Sequence, residues 1–129
     1  MNPAISMAPG VLPALIATVF VPPVKHPDSE LISVCDEIIR LETWMNSEYP
    51  KACTLEDEKQ FDARMAPFRE QVAALLDHSC SLTAITAAGH AARARVIAKL
   101  FPQRVDNPKD DFDVILGALL ADMTAGGAA

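Results

Sequence analysis

Phe61, Met65, Phe68, Val72 and Leu75 recur at steps of four, three, four and three, with Leu76 beside them. A sheet alternates every second residue, so this spacing can only be one side of a helix. It is a seam of coiled-coil type, and a seam needs an apolar partner. The preceding segment supplies one in Leu31, Val34, Cys35, Ile38, Leu41 and Met45, widened by Ile32, Ile39 and Trp44. Between the two, Pro50 cannot continue a helix. Tyr49, Lys51 and Cys53 fall in the short turn that results.

Two further stripes follow. Ala87, Ala91, Ala94, Ala98 and Phe101, bordered by Ile97 and Leu100, form a face of small residues that another helix can approach closely. Phe112, Ile115, Leu116, Leu119, Leu120 and Met123 form an amphipathic stripe of about three turns. Half of the 129 residues are apolar but only 5% are aromatic, so the core is Ala, Leu, Ile, Val and Met, which suits packed helices. The expected fold is all-α: a small antiparallel bundle of three to four helices in one domain, its four stripes meeting in a single interior.

Local signals set the boundaries. Helix 1 is predicted to start at Asp28 or Ser29 and to end between Asn46 and Tyr49. Helix 2 opens on a capping box in which Thr54 offers the hydroxyl and Asp57 the carboxylate. Pro67 predicts a kink or break in it near Ala66, at a cost on the order of 3 kcal/mol for a straight helix. His78 to Ile85 reads as a loop holding Ser79, Cys80 and Ser81. Thr86 caps a third helix that stops before Pro102, and Asn107-Pro108 predicts the start of a fourth. Thr124 to Ala129, with Gly126-Gly127, is expected to fray. Gly117 reads equally as a weak point or a close contact.

Residues 1–27 differ from the rest. The run from Val11 to Val21 is apolar, but no Lys or Arg precedes it, unlike a secretory signal. A spanning helix needs roughly 18 to 20 apolar residues, more than this run holds, and Pro13 interrupts it. Pro22-Pro23 and Pro27 favour extended chain. The expected organisation is therefore an apolar arm over 1–27, flexible or docked, a helical domain over 28–125, and a frayed tail over 126–129.

The net charge of −6 is unevenly spread: residues 28–62 carry ten acidic and three basic side chains, residues 63–105 six basic and two acidic. An acidic helix facing a basic one is the simplest account. Cys35, Cys53 and Cys80 are odd in number and far apart, which points to reduced thiols and a cytoplasmic protein. Cys35 reads as a small core residue.

No pattern reaches a catalytic, metal or nucleotide signature, so neither enzyme nor cofactor is expected. His78, Cys80, His90 and Cys53 offer only one close pair, too little for zinc. A Cys80 nucleophile lacks an orienting group. Nucleic-acid binding through Arg93, Arg95, Lys99 and Arg104 is the sharper alternative, opposed by the overall acidity and the absence of interleaved aromatics. The leading expectation is a non-enzymatic protein acting through helix–helix contact, self-associating as a homodimer through Leu31, Ile38, Met45, Phe61 and Phe68. Nucleic acid and membrane are not expected partners.

His26-Pro27-Asp28-Ser29-Glu30-Leu31-Ile32, then Cys35, followed by Thr86, Gly89, Ala92, Arg93 and Ala94, resembles a loose group of short proteobacterial proteins, some prophage-associated, of unassigned function. The resemblance covers residues 26 to about 123. Where that group closes on a Ser-Leu-x-x-Asp helix, this chain has Ala118-Leu119-Leu120-Ala121-Asp122, with Ala for Ser. It implies a compact helical protein, and it implies no activity and no functional residue.

Overall fold

The computed structural model of the chain describes residues 26–51 and 54–128. Residues 1–25 of the expected 1–27 arm, Ala52, Cys53 and Ala129 lie outside the described residues. Five helices, with no strand among the described residues, build the fold: α1 (Ser29–Ser47), α2 (Leu55–Ser81), α3 (Ala87–Leu100), α4 (Pro102–Asp106) and α5 (Asp111–Ala128). The all-α helical bundle is as expected.

α1 and α2 form an antiparallel hairpin. At one end Arg64 Nη1 lies 3.1 Å from Glu48 Oε1, and at the other His78 Nε2 lies 2.8 Å from Glu30 Oε2. Between these ends Leu31, Val34, Cys35, Ile38, Leu41 and Met45 meet Phe61, Met65 and Val72, joined by Ala92 and Val96 of α3. Trp44 meets Phe68 edge-on at 4.8 Å, and Tyr49 meets Phe61 edge-on at 5.1 Å.

α1 is the central helix, with α2 on one side and α3 on the other, and α5 packs on the far side of α3. Ala91 and Ala94 are buried there, on the stripe that continues through Ala87 and Ala98, both of which line depressions shared with α5. Small side chains let the α3 and α5 backbones come close, as the alanine face predicts. A single interior does not form, however. The core cluster draws on α1, α2 and α3, and α5 contributes none of its members.

At several points the elements differ in detail from the sequence reading. Of the kink or break expected near Ala66, α2 shows no break and runs on through Pro67; Pro67 and Ala63 are both exposed, so the carbonyl freed by the missing N–H stands where water can reach it. It also continues to Ser81, making His78 to Ser81 helical rather than loop. Arg93 of α3 donates through Nη2 to the carbonyls of Ser79, at 2.7 Å, and Leu82, closing the helix end from outside. α4 is an unforeseen single turn with Pro102 as its first residue.

α5 starts at Asp111, not at Pro108, because a later cap wins. Asp110 Oδ1 accepts from the Asp113 N–H at 2.8 Å while Asp113 Oδ2 accepts from the Lys109 N–H at 3.2 Å. At the other end the helix continues to Ala128. No described helix is long and apolar enough to cross a membrane.

Candidate functional site

Asp28 is 2% exposed, and its carboxylate is bonded through both oxygens. It precedes α1 but does not cap it. Instead it reaches the start of α3, where it accepts from the N–H groups of Ile85, at 3.0 Å, and Thr86, at 2.7 Å, and from Thr86 Oγ1 at 2.6 Å. Thr86 Oγ1 in turn accepts from the Gly89 N–H at 3.2 Å, the cap expected of it. The Asp28 N–H donates to His26 Nδ1 at 3.1 Å. The Thr86 hydroxyl first, then the Thr86 N–H, hold the carboxyl below its usual range despite burial.

This joint absorbs the residues that carry the resemblance. Asp28, Thr86 and Gly89 meet in it, Arg93 closes α2, and Cys35 and Ala92 are fully buried in the core. Both carboxylate oxygens of Asp28 accept from backbone or hydroxyl donors. It is a structural joint. Sequence reasoning missed it because the partners are 57 and 58 residues apart, with no local pattern to announce them.

The candidate chemical residues are not brought together. His78 pairs with Glu30, while Cys80 is exposed on the last turn of α2 and His90 is exposed on α3. No group of three or more potential metal ligands occurs among the described residues. Cys35 is fully buried, and burial raises its thiol above the usual range, so it is neutral and shielded.

Nor do the four basic residues make one surface. Arg93 is spent on the carbonyls that end α2. Arg104 places Nε 2.9 Å from Asp113 Oδ1 and its guanidinium 5.4 Å from the centre of the Phe112 ring. Arg95 and Lys99 have no protein partner of that kind among the bonds and ion pairs of the described residues, but two cations are few for a polyanion.

Leu31, Ile38, Met45 and Phe61 are buried in the chain's own core, and Phe68 packs against it under Trp44. These side chains, expected to mediate self-association, are covered before any partner arrives.

Among the described residues, Leu55, Ile85 and Phe101 are exposed apolar side chains outside α5, but α5 carries four on one helix. Phe112 is 61% exposed, Val114 57%, Ile115 68% and Leu119 53%, while on the same helix only Asp113 and Leu120 are buried. From Val114 to Ala128 the helix carries one charge, Asp122. A helix apolar on nearly every side is ordinarily buried on nearly every side, yet α3 covers only one side of this one. Shallow depressions flank it: one of about 360 Å³ is walled by Ala87, His90, Leu119, Met123 and Gly126. Its lining is almost wholly apolar, with His90 the exception.

Comparison with known protein families, with curated proteins and with solved structures finds no match to this chain.

Proposed function

We propose that the chain is a small non-enzymatic protein that acts through helix–helix contact, first of all with a second copy of itself, and that α5 is the contacting helix. The supporting observation is the exposure of Phe112, Val114, Ile115 and Leu119 along one helix otherwise poor in charge. Covering the exposed half of each such side chain is worth roughly 1 kcal/mol. A two-fold contact counts every one of them twice. Antiparallel pairing of two α5 helices also suits the charges. Asp111 and Asp113 sit at the start of the helix and the last turn has none, so acidic ends need not meet.

The nucleic-acid reading is weaker, since Arg93 and Arg104 are engaged within the protein.

Sedimentation of the full chain at micromolar concentration tests the proposal. The expected mass is twice the 13.9 kDa protomer, and Ile115→Asp or Leu119→Asp shifts the dissociation constant upward at least roughly tenfold. Both positions are exposed, so helicity should be retained. A wild-type mass of one protomer throughout would refute the proposal.

A further inference from the structure

The depression walled by Ala87, His90, Leu119, Met123 and Gly126 lies between the start of α3 and the last turns of α5. The described chain begins beside that start of α3. The His26 carbonyl accepts from the Ser29 N–H at 3.0 Å, and Asp28 is locked onto Ile85 and Thr86, directly before Ala87. The Asp28 carboxylate also lies against Gly89, the neighbour of His90. Whatever precedes His26 therefore emerges beside the first turn of α3, which forms one wall of an uncovered apolar groove.

What precedes it is unusually suited to that groove. Residues 1–24 contain no Asp, Glu, Lys, Arg or His, and Val11 to Val21 is an apolar run. The facing stretch of α5, Val114 to Ala121, is equally uncharged. From His26 back to Val21 the chain can span up to about 18 Å, enough to bring Phe20 over Leu119 and Met123. The eleven residues from 11 to 21 then cover about 16 Å even at helical rise, the length of α5 from Phe112 to Met123.

We infer that residues 11–21 of the same chain seat in this groove and cover the exposed side of α5. The inference rests on the reading of α5 as the contact helix and adds a regulator to it. The chain's own segment is a competing occupant of the surface that a second copy would use. Its high local concentration weakens pairing with a second copy without abolishing it at micromolar protein.

Photo-cross-linking of the full chain tests this. A benzophenone side chain replaces Phe20 in one preparation and Leu15 in another, and each is irradiated as an equal mixture of nitrogen-15-labelled and unlabelled protein. Trypsin releases residues 1–25 and 110–129 as single peptides, since no Lys or Arg interrupts either. The expected product joins these two peptides with matching isotopes, and its yield falls roughly tenfold when Leu119→Asp places a charge in the groove. Unchanged Trp44 emission and helicity show that this variant is folded. Cross-links to peptides of α1 or α2, isotopically mixed pairs as the main product, or no link to 110–129 would each overturn the inference. Mass measurement separates the two ideas: a dimer without the link refutes only this one, and a monomer with it refutes only self-association.

Discussion

Gly89 and Gly117 are both helical glycines, but they answer to different neighbours. A Cβ on Gly89 would fall 2.6 Å from Asp28 Cγ, and that carboxylate is held on every side. Gly89→Ala is therefore expected to destabilise the fold by about 1–3 kcal/mol, as overpacking does, read as a lower urea midpoint at an unchanged slope. The carboxylate itself gives a pH signature. Its folded pKa lies below the ordinary 3.8, so between the two values the unfolded chain binds more protons. The stabilisation is complete above the ordinary value and lost as pH falls through it toward the folded one. Asp28→Asn should thus flatten the loss of stability as pH falls through the ordinary carboxylate range and below it, while lowering stability at neutral pH. An acid slope equal to wild type would show that Asp28 is not a source of it.

At the scale of elements, Gly117 meets nothing nearer than the Val105 carbonyl at 4.0 Å, so its side of α5 has room. Gly117→Ala should stabilise by about 0.5–1 kcal/mol through helix propensity alone, and a lower thermal midpoint would show that the α3–α5 spacing needs the glycine. The sequence could not decide between these because the answer depends on α4, a turn it did not reveal. Other elements were legible for the opposite reason. The Thr54–Asp57 box and the Thr86 cap form as written, since donor and acceptor are three residues apart. The heptad-like spacing of Phe61 to Leu75 likewise locates the α1–α2 core. What failed was set from a distance: α2 outlasts His78 because Arg93 closes it from the next helix, and α5 begins late because Asp110 and Asp113 outcompete Asn107.

For the whole molecule, apolar periodicity identified four helices but not their order in space. A stripe says that a helix face wants covering, not which neighbour covers it. Here α1 takes the centre, and α5 is left one helix removed from the core, which is why the candidate surface was sought on α1 and α2 and stands on α5. The placement of Asp28 carries a consequence in time as well. Its bonds to Ile85 and Thr86 enclose the entire α1–α2 hairpin, so they cannot form until that hairpin has closed and the loop entropy of nearly sixty residues has been overcome. Weakening them should leave the refolding rate of the chain nearly untouched and quicken its unfolding, the pattern of a latch that engages after the rate-limiting barrier. Stopped-flow traces of Asp28→Asn would show it as a displaced unfolding arm beside an unmoved refolding arm.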